Sequence, residues 1–270
     1  MRRVSLVAGF ILALLVAVSC SKFRKIEKNP DWRVKYEASL VYYEKKDYYR
    51  ASILFDQILP IIRGLPEAEK VQFYLAYCQY YEKLYLLASE QFKSFYETYG
   101  RGVLSEEARF MYAYSLYKSS PGPNLDQSGS IQSMTSMQEF LNRYPNSKFK
   151  DQAVEVIFTT QVKLEKKGFD NARQYVKMRS YKAAIVSLKS FKENFPDSKY
   201  LEEANFLIIL SQFELAEVSI RSKQQERYKE VLQNYKDFID QYPQSKFLKD
   251  AEKFYIESTA KLTTFKTTNS

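Results

Sequence analysis

Apolar residues along most of the chain recur three and four positions apart between short polar turns, and no sustained alternation of period two interrupts them. That periodicity predicts amphipathic helices throughout and gives no support for strands. The helices end in a repeated line. It reads FLNRYPNSKFKDQA from Phe140, FKENFPDSKYLEEA from Phe191 and FIDQYPQSKFLKDA from Phe238. Pro145, Pro196 and Pro243 lack an N–H and disfavour helix in the residue before them, so each closes one helix. Ser147, Ser198 and Ser245, two residues on, are placed to accept from an open N–H of the next first turn. No Glu or Gln follows three residues after these serines, so the full capping box is absent. Phe149, Tyr200 and Phe247 are placed to staple the corner.

The stretch before each proline also repeats. Tyr181 and Tyr228 each precede their proline by 15 residues, and Tyr85 stands in the same relation to Gly100. Each of these tyrosines is expected to open a helix after a polar turn, and YEKKDYYRASILFDQIL is an earlier, more degenerate copy. Tyr48 and Tyr85 are 37 residues apart, Tyr181 and Tyr228 are 47 apart, and the interval from Tyr85 to Tyr181 holds two units. The expectation is an all-α solenoid of about five helical hairpins. Its small-residue positions resemble tetratricopeptide repeats: Leu75, Ala76, Tyr85 and Ala88 in the second unit, and Ala172, Tyr175, Tyr181, Ala184 and Pro196 in the fourth. Composition agrees, with only 7 Gly and 8 Pro in 270 residues and 16% aromatics to fill wedges between helices.

The N-terminus sets the compartment. Arg2 and Arg3 precede an uncharged apolar run from Val4 to Ser19, which is short for a membrane span of about 20 residues with flanking anchors. It reads as a secretion signal. The run stops at Cys20 in AVSC and resembles a bacterial lipoprotein signal, with Ala17 where that pattern usually has leucine. Cleavage there leaves Cys20 first, carrying acyl chains, and several chains on one cysteine anchor stably. No aspartate follows Cys20, which resembles sorting to the outer membrane. The expected organisation is a signal peptide over 1–19, a lipidated linker over 20–29, repeats over 30–262 (30–118 and 131–262 about a loop at Ser119–Ser130) and a polar tail over 263–270. With Cys20 acylated, Cys78 has no disulfide partner; in LAYCQYY it reads as a buried structural thiol.

The chain carries 41 Lys and Arg against 32 Asp and Glu. The charges are interspersed, as on solvated helix faces, and export argues against a nucleic-acid partner. There is no histidine, which excludes Ser-His-Asp and Cys-His catalysis and His-based zinc sites. No P-loop or dinucleotide fingerprint occurs. Glu106–Glu107 and Glu202–Glu203 read as first-turn charges favourable to the helix dipole. Neither a cofactor nor a metal nor catalysis is expected.

The loop before LDQ, with Asp126 placed to cap the next helix, followed by a helix ending in FLNRYPNSKF, resembles the BamD family, the lipoprotein of the β-barrel assembly machinery. Gly129 departs from a common threonine there. The resemblance covers the whole mature chain. It implies a non-catalytic scaffold on the periplasmic face of the outer membrane. Its expected partners are the BamA-type barrel subunit, unfolded outer-membrane proteins and other assembly lipoproteins. The alternative is another lipid-anchored tetratricopeptide adaptor of the envelope. Carrying the repeat register through the first three units sets Tyr36, Tyr43, Phe73, Tyr77, Tyr80, Tyr81, Phe110, Tyr114 and Tyr117 on the inward side, as a stripe for an extended, aromatic-ended peptide. Some of these rings are expected to pack between helices instead. Arg33, Lys70 and Lys118 are candidates to face a carboxylate. Arg221, Lys223 and Arg227 are candidates for a fixed partner.

Overall fold

Short turns join successive helices into hairpins in the computed structural model, which describes residues 22–267. A first helix, α1, covers residues 22–27. Five pairs follow: α2 (Trp32–Glu44) with α3 (Tyr48–Ile58), α4 (Glu67–Tyr81) with α5 (Tyr85–Thr98), α6 (Ser105–Ser119) with α7 (Ser128–Arg143), α8 (Lys150–Lys177) with α9 (Tyr181–Asn194), and α10 (Leu201–Glu217) with α11 (Arg221–Gln241). A last helix, α12 (Leu248–Thr267), follows them and runs on through residues 263–267. No strand occurs among the described residues. The all-helical hairpin array is the tetratricopeptide-like solenoid expected from the sequence.

Two compact units divide the chain within α8. The first takes in the described residues through Pro121 together with Leu125–Thr160; the second takes in Gly122–Asn124 and Gln161 onward. The first unit buries Phe55, Ile58, Val71 and Leu75 between α3 and α4, then Phe92, Phe95, Met137 and Phe140 further along. The second buries Phe169, Leu188, Phe191, Ile209, Tyr228 and Phe238. Ala76 and Ala88, and Ala172 and Ala184, have no exposed surface, so the helices of those two pairs approach closely at the expected small-residue positions.

Three of the tight turns are built alike. Lys46, Lys83 and Arg179 adopt the left-handed conformation, with φ of 60°, 64° and 57°. In each, the next residue's N–H reaches back to close the helix: Asp47 to the Tyr42 carbonyl at 2.9 Å, Leu84 to Gln79 at 2.9 Å, Ser180 to Tyr175 at 2.9 Å. This is the Schellman closure with a long basic side chain where glycine is usual. Tyr48, Tyr85 and Tyr181 open the following helices as expected. Tyr228 does not. Its helix begins at Arg221, and Tyr228 lies two turns inside it, buried, with its hydroxyl donating to Glu217.

The aromatic, serine and lysine positions of the proline corners each have a physical role. Tyr144, Phe195 and Tyr242 pack on Phe140, Phe191 and Phe238, ring centroids 5.5, 5.3 and 5.4 Å apart. The serine hydroxyl accepts from the N–H two residues on, at 3.1 Å for Ser147, 3.3 Å for Ser198 and 3.0 Å for Ser245. Phe149, Tyr200 and Phe247 stack on Phe110, Phe169 and Phe206 at 4.4, 4.7 and 4.6 Å. Lys148, Lys199 and Lys246 each lie over the ring that follows, at 4.7, 5.3 and 4.9 Å. Ser147 and Ser245 also donate to Glu106 and Glu202, each at 2.6 Å. Those two carboxylates therefore tie corners to the preceding hairpin, a task beyond the helix-dipole role expected of them. In the α6–α7 loop, Asp126 accepts from the Ser128 N–H at 3.1 Å.

Candidate functional site

The first helices of the first three hairpins carry tyrosines at three-, four- and seven-residue intervals, which set them along one face of each helix. In the first unit these faces join into a run of touching rings. Tyr43 stacks on Tyr74 with centroids 4.4 Å apart and planes 2° apart, and meets Tyr48 edge-on at 5.6 Å. Tyr48 stacks on Tyr81 at 4.4 Å. Tyr81 stacks on Tyr77 at 5.7 Å and meets Tyr80 edge-on at 5.6 Å. Tyr80 reaches Tyr114 at 6.2 Å, and Tyr114 reaches Tyr117 at 6.0 Å. Tyr36 stands apart, packed edge-on against Trp32 at 6.3 Å.

The nine stripe residues differ in depth. Phe73 and Phe110 lie in the core, where Phe73 packs on Tyr77 at 5.1 Å and Phe110 stacks on Tyr114 at 5.4 Å. They support the ladder from beneath. Tyr36, Tyr43, Tyr77, Tyr80, Tyr114 and Tyr117 are half-buried, and Tyr81 is 46% exposed. Tyr48 and Tyr74 belong to the ladder too. Tyr48 reads in the sequence only as a helix opener, and the pairing of Tyr74 with Tyr43 joins two hairpins. The density of tyrosine in YYEKKDYY and FYLAYCQYY is the one signal that points to them.

Tyr43, Tyr77 and Tyr80 are held neutral. Burial pushes the Tyr43 and Tyr77 hydroxyls far above the usual phenol range, and at Tyr77 the 2.5 Å bond donated to Glu107 adds to it. Burial, then neighbouring Tyr114, pushes Tyr80 up to about 12. Arg33 lies over Trp32 at 4.8 Å, Lys70 over Tyr74 at 5.4 Å and Lys118 over Tyr114 at 5.9 Å. None of these three cations forms an ion pair among the described residues. Glu107, by contrast, is already engaged by Tyr77 and by Lys148 at 3.2 Å. The face thus offers aromatic area, phenol hydroxyls and three cations that make no ion pair among the described residues. Cys78 lies beneath it, fully buried, its thiol pushed up by burial and so inert.

The second-unit cations play unequal parts. Arg221 is exposed and lies over Phe265 at 5.0 Å. Lys223 is exposed and pairs with Glu226 at 3.4 Å. Arg227 is half-buried, donates to the Leu215 carbonyl at 3.4 Å and bonds Ser219, so it fastens the turn between α10 and α11. Cys20 lies outside the described residues.

The YfiO family profile, described as an outer membrane lipoprotein, matches residues 31–204 and 162–264. The chain belongs to the YfiO family. No curated protein matches it. Membership in this lipoprotein family supports a location at the outer membrane. Among the described residues no helix is long and apolar enough to cross a membrane. The YfiO assignment and the helical-repeat fold together point to a non-catalytic adaptor.

Proposed function

We propose that this chain is a BamD-like scaffold of the outer-membrane β-barrel assembly machinery. It is anchored through acylated Cys20 on the periplasmic face. Its C-terminal repeats hold a BamA-type barrel subunit, with Arg221 and Lys223 on the contact side and Arg227 shaping it, and other assembly lipoproteins join the complex. Its N-terminal repeats engage unfolded outer-membrane proteins before they fold. The observation that carries the reading is the continuous tyrosine ladder with three cations that form no ion pair among the described residues, on a chain of the YfiO family.

The physics suits transient capture. An unfolded barrel strand is extended, with aromatic side chains on one side. Stacking on a tyrosine contributes about 0.5–1.5 kcal/mol per pair beyond area burial and asks little of sequence. Exposed phenols can donate to the open carbonyls of an extended strand. A chain-terminal carboxylate finds Arg33, Lys70 or Lys118 without displacing an existing ion pair. No chemical step is required; capture is driven by binding and release by folding of the client barrel.

The test is fluorescence anisotropy of a synthetic final-strand peptide of an outer-membrane barrel, ending in phenylalanine, with the full chain in detergent. Tyr81→Ala with Tyr114→Ala should weaken binding about tenfold, and amidating the peptide's carboxylate should weaken it again. Unchanged affinity in the folded double variant would remove the ladder from the mechanism.

A further inference from the structure

The second unit holds a separate feature that the ladder does not use. An open groove of about 960 Å³ lies between the C-terminal half of α8 and α9, and reaches the end of α10. Its floor is Phe191 and Phe195, packed close because Gly168 faces them. A Cβ there would meet both rings at 3.2 Å. Mid-helix glycine costs about 0.5–1 kcal/mol against alanine, and here it lets both rings come close to the α8 backbone. Its walls present Tyr175, Val186 and Val218, the two valines 63% and 72% exposed. Exposed apolar side chains gathered in one concave groove suit the apolar stripe of a docked helix.

The charged side chains that line the groove have one sign, and Glu214 lies close by, bonded to Tyr181. Arg179 and Lys182 line the groove, and no Asp or Glu does. Neither cation forms an ion pair among the described residues. Arg179 is held in the left-handed conformation, so the base of its side chain is fixed by the turn. The groove's shape is set by the repeat. In this unit α10 is packed against α9 before it, and α12 against α11 before it. The groove is lined by residues of α8, α9 and the end of α10, all within this unit.

We infer that this groove docks an amphipathic helix of a partner protein, its apolar stripe laid on Tyr175, Val186, Val218 and the Phe191–Phe195 floor, with an acidic residue facing Arg179 and Lys182. The occupant reads as apolar anchors at i, i+3 or i+4, and i+7. The carboxylate fixes its register and direction. The ladder and the groove are thus two sites of different chemistry, one for extended aromatic chains and one for a helical acidic segment.

The test is a phage-displayed library of amphipathic 18-residue helices panned on the full chain in detergent, against the Val186→Glu, Val218→Glu double variant. Both valines are exposed, so the variant should keep the wild-type circular dichroism. Sequences enriched on the wild type alone should carry the apolar stripe and an excess of Asp and Glu. The best such peptide, measured by anisotropy, should lose about tenfold in affinity with Lys182→Glu, and with Arg179→Asn, which keeps the left-handed turn. Changing its acidic residue to lysine should do the same. No enrichment over the variant, enrichment without acidic residues, or affinity indifferent to Arg179 and Lys182 would each overturn the inference. So would a concentration-dependent dimer in sedimentation that the valine changes abolish, since the face would then be a self-interface.

Discussion

Ser245→Ala tests how the corners hold the hairpins together. The Ser245 hydroxyl accepts from the Phe247 N–H at 3.0 Å and donates to the Glu202 carboxylate at 2.6 Å. Losing the cap costs about 1 kcal/mol. Losing the bond to a charged acceptor costs about 1.5 kcal/mol when nothing replaces it; Glu202 is half-exposed and regains water, which brings that down to about 1. The substitution should therefore destabilise the second unit by about 2 kcal/mol. Ser198 lies in the same unit and, among the described residues, its hydroxyl makes the cap alone, at the longer 3.3 Å, so Ser198→Ala should cost about half as much. Urea denaturation followed by far-ultraviolet circular dichroism measures both in one transition. Trp32, the single tryptophan, lies in the first unit, so a change in helicity without a change in tryptophan emission identifies the second. At about 2 kcal/mol per molar urea, Ser245→Ala should move the midpoint down by about 1 M. A double-mutant cycle with Glu202→Ala should give a coupling of about 1 kcal/mol. Equal losses at Ser198 and Ser245, or a coupling of zero, would refute the two-bond account of the corner.

The left-handed turn residues are a place to gain stability: Lys46→Gly and Lys83→Gly should each raise the first unit's urea midpoint by the equivalent of about 0.5–1 kcal/mol, and a drop at both would mean that the side chains do more than tolerate the turn. In alkali, Tyr80 and Tyr96 are both pushed up to about 12 from the ordinary 10.0, burial being the main cause. Their contribution is therefore complete below pH 10 and lost as pH rises from 10 through 12, so the melting temperature should fall across that window, and a flat profile there would contradict buried neutral phenols. Arg227→Gln should destabilise the second unit by about 1–2 kcal/mol through the lost ties to Leu215 and Ser219, while Lys223→Gln, an exposed pair, should change it by less than about 0.5; equal effects would show that Arg227 fastens nothing.

Most of the hairpin boundaries were legible because proline and the tyrosine after a polar turn are local signals. Tyr48, Tyr85 and Tyr181 open their helices where the spacing puts them, and the three prolines end theirs. Tyr228 misled because the residues before it, RSKQQER, are polar and carry no apolar period, so two added helical turns look like a loop. Glu106 and Glu202 were legible only as first-turn charges. Their bonds to Ser147 and Ser245 span 41 and 43 residues, and nothing local announces a contact that the packing of successive hairpins creates. The stripe was partly legible for the same reason. Helical spacing finds the face of α4 and α6, but one turn decides whether a ring lies in the core, as Phe73 and Phe110 do, or at the surface, as Tyr81 does. The α8–α9 groove left no sequence signal, since it arises from how α8, α9 and the end of α10 pack, which no local spacing announces.

The central claim, a lipid-anchored scaffold that joins a barrel-forming partner to unfolded clients, is tested most directly by affinity purification of the full-length chain from detergent-solubilised envelopes, with mass spectrometry of what remains bound after washing. The account predicts a large outer-membrane β-barrel protein in near-equal amount with the tagged chain, retained by Tyr81→Ala with Tyr114→Ala and lost when Arg221 and Lys223 are changed to Glu. Recovery of the acylated chain with no barrel protein attached would contradict it.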